Sequence, residues 1–177
     1  MKIPKIIHQV WDGRIDPHIP FRLQLLSKTW KEQNPDWEYH LWNGKEMEKL
    51  VSNHFPEYKD LYDGFSYNVQ RWDTIRYMIL NKYGGVYTDL DSECFHPIEK
   101  LLENEVMCFG EEPPSHNIYP GLPFMAGNAF MASEKNCEGW MHILDEIPKA
   151  VKRTYDDQIV LNNGSDINIG TTNKIYS

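Results

Sequence analysis

The sequence predicts an α/β domain with a mostly parallel sheet. Short apolar, β-branched runs alternate with longer segments of helical periodicity, the order that builds strand–helix–strand units. Gly, Pro, Asn and Asp punctuate the junctions between them. The 177 residues are 41% hydrophobic and 13% aromatic, which suits one folded domain over 1–177 rather than a disordered chain.

Ile3 to Val10 is apolar and β-branched and is bounded by Trp11-Asp12-Gly13, so it reads as a buried first strand. Pro17 and Pro20 mark a loop. Phe21 to Gln33 then has helical spacing, closed by the turn Asn34-Pro35-Asp36. Trp37 to Trp42 alternates as a second strand, Asn43-Gly44 stops it, and Lys45 to Asn53 forms a short helix. Ser66 to Lys82 is the clearest helix: Val69, Trp72 and Ile79, with Ile75 or Arg76 between, recur at steps of three and four. Gly84-Gly85 ends it, and Val86 to Leu90 follows as a short strand. Further strands are expected at Val106 to Gly110 and Ala129 to Ala132, with a Pro-rich surface loop from Glu111 to Gly127. A last helix runs from Asn136 to Lys152 and carries Trp140, Ile143, Leu144 and Ile147.

The formal net charge is −8 and no Lys/Arg run offers a stripe for phosphates, which argues against nucleic acid as a partner. An anionic small ligand on so acidic a chain would need a cation to hold it. Neither a signal-peptide pattern nor an apolar run of membrane-span length is evident, so the expected location is cytoplasmic, with at most peripheral contact at the inner membrane face. Cys94, Cys108 and Cys137 are odd in number, widely spaced and without CxxC, and read as reduced or buried thiols. The seven His lack the spacing of zinc ligands. Trp and Tyr suit a cleft for sugars and nucleobases, although filling a core explains most of them equally well.

Chemistry concentrates in Tyr87-Thr88-Asp89-Leu90-Asp91. Residues two apart on a strand face one side, about 7 Å apart, which puts Asp89 and Asp91 together at the carboxyl end of a strand. Open α/β sheets bind ligands there. Two neighbouring carboxylates repel each other and favour a hard divalent cation, Mn²⁺ or Mg²⁺, which then bridges to a diphosphate. An isolated DxD is weak, since paired acidic residues are common in surface turns. Its neighbours strengthen it. Asp73 and Arg76 are three apart on the preceding helix and share one face. A carboxylate accepts from sugar hydroxyls and an Arg donates to sugar or phosphate; the plain alternative is a surface ion pair worth little.

The block Arg71-Trp72-Asp73-Thr74-Ile75-Arg76-Tyr77 followed by Tyr83-Gly84-Gly85-Val86-Tyr87-Thr88-Asp89-Leu90-Asp91 resembles the DXD-containing glycosyltransferases of family 32. That family includes capsular-polysaccharide sugar transferases and the yeast initiating α-1,6-mannosyltransferase, and the glucosylating core of large clostridial toxins is similar. Ile3 to Trp11, Asn34 to Tyr39 and Asn128 to Ser133 also fit, so the likeness runs from Ile3 to Ser133 and is patchier afterwards. The resemblance implies a GT-A fold, a Rossmann-like sandwich, and a retaining transfer of a hexose from a nucleotide-sugar. The implied donor is a UDP-hexose first or GDP-mannose second, and the implied acceptor an oligosaccharide or a lipid-linked acceptor for surface polysaccharide. It implies further that Asp91 binds the metal, that Asp89 contacts ribose or sugar and helps the metal, and that Asp73 and Arg76 hold the donor sugar. Trp11 would line the base pocket and Asn128 would lie near the reacting sugar. Trp11 plugging the core, Asn128 as a turn or strand-edge residue, and Glu93 as a further ligand if the strand continues stay open beside these.

Two departures stand out. Trp72 occupies a position where the family carries a small residue. The chain also ends at Ser177, and Ile169-Gly170-Thr171-Thr172 corresponds to the family's Thr-Gly-Pro-like segment without its Pro; a C-terminally truncated catalytic domain, a naturally short form and an incomplete enzyme stay open beside one another. The leaving diphosphate would be neutralised by the metal and Arg76, and with no evident nucleophile a front-face route is expected over double displacement. The competing readings are a nucleotide-sugar-binding remnant without turnover and a haloacid-dehalogenase-like phosphatase, whose D-x-D opens its domain and is normally followed by Thr or Val where Glu93 stands here.

Overall fold

The structure, a computed structural model, describes residues 2–113 and 124–164. Five strands, β1 (Ile6–Val10), β2 (Glu38–Trp42), β3 (Gly85–Thr88), β4 (Met107–Glu111) and β5 (Ala126–Ser133), form one sheet in the order β2-β1-β3-β5-β4. The helices are α1 (Phe21–Gln33), α2 (Gly44–His54), α3 (Lys59–Gly64), α4 (Asn68–Tyr83) and α5 (Glu138–Gly164). β1 runs parallel to β2 and β3, the part of the sheet that the strand–helix alternation predicts. β5 is antiparallel to both β3 and β4, and its ladder with β4 extends to Glu112, whose N–H donates to the Met125 carbonyl at 2.8 Å.

Local sequence explains most boundaries. Asn43 ends β2 and also starts α2. Its side chain accepts from the backbone N–H groups of Lys45 and Glu46, while the Glu46 carboxylate accepts from the Asn43 N–H, a reciprocal cap. Gly84 and Gly85, at φ 66° and 92°, turn the chain from α4 straight into β3. A Cβ on Gly85 would lie 2.5 Å from the Ile6 carbonyl oxygen, so the strand can approach β1 only because the residue is glycine. The 3-10 turn Pro56–Tyr58 and α3 carry no apolar period of their own. They are held by burial of Tyr58, Tyr62 and Phe65 against α4 and α5.

Two layers cover the sheet. Ile7 and Val86 face the side of α1, where they pack with Trp30 and Trp37. The larger core lies on the opposite face and gathers α2, α3, α4 and α5 around Met47, Tyr62, Ile75, Met78 and Leu144. Tyr87, Met131 and Trp140 join it beside β5. The chain therefore leaves β1 toward β2 through α1 and returns past β1 to β3 through α4. The carboxyl ends of β1 and β3 diverge there, and such switch points open a crevice in α/β sheets. All three cysteines are free thiols, Cys94 buried and Cys108 and Cys137 half-buried. No described helix is long and apolar enough to cross a membrane. Ile169 to Thr172 and part of the Pro-rich loop lie outside the described residues.

Candidate functional site

A cleft of about 520 Å³ opens at this switch point, between the segment after β1 and the turn after β3. Trp11, Trp72, Arg76, Tyr87, Asp89 and Asp91 are among its lining residues. The Trp11 N–H extends the β1–β2 ladder to the Trp42 carbonyl, and the Trp11 indole donates to the Asp16 carbonyl at 2.9 Å. The indole is thus a half-buried wall of the cleft rather than a plug in the core.

Asp89 and Asp91 do not lie on a strand. β3 ends at Thr88, and Asp89 to Ser92 form a turn closed by the Ser92 N–H and hydroxyl, both donating to the Asp89 carbonyl. The expected strand alternation is replaced by turn geometry because the backbone of Asp89 is pinned twice more. Its N–H donates to Ala129, and its carbonyl accepts from the Gln9 side chain at 3.1 Å. Asp91 is consequently exposed while Asp89 is half-buried, and Glu93 points into solvent beyond the end of β3.

Behind the turn lies a buried charge network. The Arg76 guanidinium reaches Asp73 Oδ1 at 2.6 Å and Asp89 Oδ1 at 3.3 Å, donates to the Asn128 carbonyl at 2.9 Å, and lies 4.8 Å above the Tyr87 ring. Arg76 and Asp73 are 6% and 4% exposed, so this is a core ion pair and not the surface pair that helix spacing alone allows. The Asn128 amide donates to Asp73 Oδ1 at 3.3 Å, and the Tyr87 hydroxyl donates to Asp89 Oδ1 at 2.7 Å. Asn128 lies on inner strand β5, not at an edge. The register pairs Phe109 with Met131 but Gly110 with Gly127, so the residues from Asn128 to Phe130 bulge toward the turn.

Burial is the first cause of every shift here. It pushes the Asp73 carboxyl up to about 6 against the pull of Arg76. It also raises Asp89, opposed by Arg76 and the Tyr87 hydroxyl. At Arg76 burial works against the charge, and Tyr87, Asp89 and Asp73 outweigh it and hold the guanidinium above its ordinary value. The two partners of the Asp73–Arg76 pair respond unequally, and the geometry supports the reading that Arg76 stays charged while Asp73 is the member poised to take a proton. Asp73 Oδ2 is buried and has no hydrogen-bond partner among the described residues, although Asp73 itself does not line the cleft.

A second network was not legible from spacing. The Asp12 carboxylate, its side chain 3% exposed, accepts both Arg14 Nε and Nη2, and Arg14 also bonds Glu48 at 2.8 Å. The same carboxylate accepts from the Trp72 indole at 2.7 Å, which fixes that ring as a wall of the cleft. Gly44 is packed against Asp12, where a Cβ would come within 2.4 Å of its Oδ1.

Asp89 and Asp91 supply two hard oxygen ligands, and among the described residues no group of three or more His, Cys, Asp or Glu could hold a metal. Such a pair fits Mg²⁺ or Mn²⁺ when ligand phosphates complete the shell. The chain matches the family described as "Glycosyltransferase sugar-binding region containing DXD motif" over residues 20–107. It is 35% identical over 131 residues to inositol phosphoceramide mannosyltransferase 3 of Schizosaccharomyces pombe, covering 73% of this chain and 35% of that protein. It is 30% identical over 108 residues to the initiation-specific alpha-1,6-mannosyltransferase of Candida albicans, covering 59% of this chain and 28% of the relative. The fold is similar to that of the PaToxG glycosyltransferase, with a TM-score of 0.60 at 17% identity, covering 86% of this chain and 62% of that one. That likeness bears out the GT-A class expected from the sequence. The chain spans about a third or less of the length of these curated relatives.

Proposed function

The chain belongs to the DXD-containing glycosyltransferase family, and on that premise we propose that it transfers a hexose from a nucleotide-sugar to a hydroxyl of a lipid or lipid-linked acceptor. The observation that carries this reading is the cleft itself, which Trp11, Arg76, Asp89 and Asp91 line together. In this reading Trp11 borders the nucleobase and Asp91, with Asp89, holds a divalent cation on the diphosphate. That cation supplies charge neutralisation at the leaving phosphate. Asp73 stands behind the cleft wall, and in this reading it holds the donor-sugar side in place through its contacts to Arg76 and Asn128. Arg76 keeps the two carboxylates and the Asn128 bulge in register, and its field favours the charged diphosphate.

Mannose is the sugar we favour, because both of these relatives are named mannosyltransferases. The name of the fission-yeast relative also favours a phosphoinositol lipid as acceptor class. A front-face route with retention is supported by Arg76 engaging both Asp73 and Asp89, a poor arrangement for a carboxylate nucleophile.

Calorimetry with GDP-mannose and UDP-hexoses, in Mn²⁺ and then in EDTA, tests the donor site alongside Asp91→Ala. Metal-dependent binding that the variant loses is the expected result. Metal bound tightly without nucleotide, or donor binding indifferent to both EDTA and Asp91→Ala, would refute the cation's place in the site. Binding without transfer to any acceptor would make the chain a donor-binding module.

A further inference from the structure

Gln9 does not line the cleft, yet its side chain is bonded to the turn that does. It stands on β1 two residues after Ile7, so it shares the Ile7 face toward α1, and it is fully buried. A carboxamide there costs free energy unless its donor and its acceptor both find partners. Both do. Nε2 donates to the Asp89 carbonyl at 3.1 Å, and Oε1 accepts from the Tyr39 hydroxyl at 2.5 Å. A backbone carbonyl only accepts, which fixes the end of the amide that faces Asp89.

The two bonds run across the sheet, from Tyr39 on β2 through Gln9 on β1 to Asp89, directly after β3. The pairing of β1 with β3 ends at His8–Tyr87. Beyond it the strands part, and the Gln9 side chain spans the gap. The Asp89 carbonyl also accepts from the Ser92 N–H at 3.1 Å and the Ser92 hydroxyl at 2.6 Å. Those two donors belong to the turn and travel with it, so they shape the turn without locating it. The Gln9 amide comes from the sheet. Ala129 holds the Asp89 N–H from β5, whereas Gln9 ties the turn to the strand that ends in Trp11. A side chain that both donates and accepts is what such a link requires; a carboxylate would repel the Asp89 carbonyl and an apolar chain would leave two polar groups unpaired.

We propose that Gln9 is a positioning residue for the donor site: its amide, aimed by the Tyr39 hydroxyl, fixes the Asp89–Asp91 turn against β1 and so sets the two carboxylates in place relative to Trp11. Partners that orient a metal ligand from behind govern metal affinity in this way. The role rests on the reading of the turn as the cation site.

Binding of GDP-mannose and of UDP-glucose is measured by calorimetry over a range of Mn²⁺ concentrations for the unaltered chain, Gln9→Met, Tyr39→Phe and the double variant. Tyr58→Phe removes a hydroxyl bonded to Asp145 at 2.5 Å in the core of the opposite face, and controls for lost stability. Gln9→Met should raise the Mn²⁺ concentration needed for donor binding by about tenfold or more, and Tyr39→Phe by about threefold. The double variant should be no worse than Gln9→Met, since both changes act through one amide. Hydrogen exchange at the Ser92 amide, relative to α4 core amides, should rise in Gln9→Met and not in Tyr58→Phe.

An unchanged Mn²⁺ requirement in Gln9→Met, or the same increase in Tyr58→Phe, overturns the role and leaves Gln9 a satisfied core amide. Losses that add in the double variant overturn the part given to Tyr39. Should Gln9→Met not fold, Tyr39→Phe decides: a raised Mn²⁺ requirement with faster Ser92 exchange upholds the role, and neither change overturns it. If the unaltered chain binds no nucleotide-sugar, faster Ser92 exchange in Gln9→Met still shows the turn held by Gln9 and sinks the donor reading instead; unaltered exchange then sinks both.

Discussion

Arg76 offers the sharpest quantitative prediction. Its guanidinium lies within 3.3 Å of both Asp73 and Asp89 and is 6% exposed. Arg76→Met keeps an unbranched apolar stem but removes the guanidinium, leaving two carboxylates near each other with no cation. At an effective dielectric of about 20, one unit charge at 4 Å contributes about 4 kcal/mol, and breaking a buried pair by deleting one partner costs about 3–5 kcal/mol. The expected loss in urea denaturation at pH 7 is in that range, with the m-value unchanged. Asp73→Asn should cost far less, about 1 kcal/mol, because burial already outweighs Arg76 at that carboxyl. The double variant should then recover about 1–3 kcal/mol relative to the sum of the two single variants. Lowering the pH from 7 to 5 should shrink the Arg76→Met deficit, since Asp73 takes a proton readily once its partner is gone. If Arg76→Met lies within about 1 kcal/mol of the unaltered chain at pH 7, the guanidinium is solvated and the buried network is misread.

Three further outcomes are expected. His8 is 2% exposed, donates from Nε2 to the Gly84 carbonyl and accepts from the Trp42 indole at Nδ1, and burial pulls it from 6.5 down to about 4. Between those values the unfolded chain binds a proton that the folded chain refuses. This contribution is therefore complete above pH 6.5 and is lost as pH falls toward 4, by about 3 kcal/mol. The difference in pH slope between the unaltered chain and His8→Gln isolates it from the opposite trend of Asp73; equal slopes would mean His8 titrates normally. Gly85→Ala should cost about 3 kcal/mol or more, from φ at 92° and a Cβ set against the Ile6 carbonyl. A loss below about 1 kcal/mol in chemical denaturation would show that β3 relaxes away from β1. Trp72→Phe retains a ring in the cleft but removes the donor to Asp12, so about 1–2 kcal/mol should go. Donor affinity should fall with it; unchanged stability and affinity would show the ring needs no tether.

Much of the fold was legible because its determinants are local. The bounds of α1 follow from periodicity and the turn at Asn34, and the start of α2 follows from Asn43 and Glu46 three residues apart. α3 was not legible: Tyr58 and Tyr62 become core residues only when α4 and α5 arrive. The turn at Asp89 was misjudged for a similar reason. Alternation describes a free strand, whereas Gln9 and Ala129, from two neighbouring strands, pin this backbone out of it.

The sequence by itself determined that an acidic pair follows a glycine turn and a strand, that an Asp and an Arg one helical turn apart precede it, and that a Trp closes the first strand. Only the tertiary structure decided what these groups become. Arg76 bonds to Asn128 across 52 residues, and Trp72 to Asp12 across 60. Periodicity places a side chain on a face but carries no information about which distant backbone will meet it. Whether a charged pair ends as an exposed pair of small effect or as a buried network that shapes a cleft depends on that meeting, because removal from water sets the strength of every charge in the site.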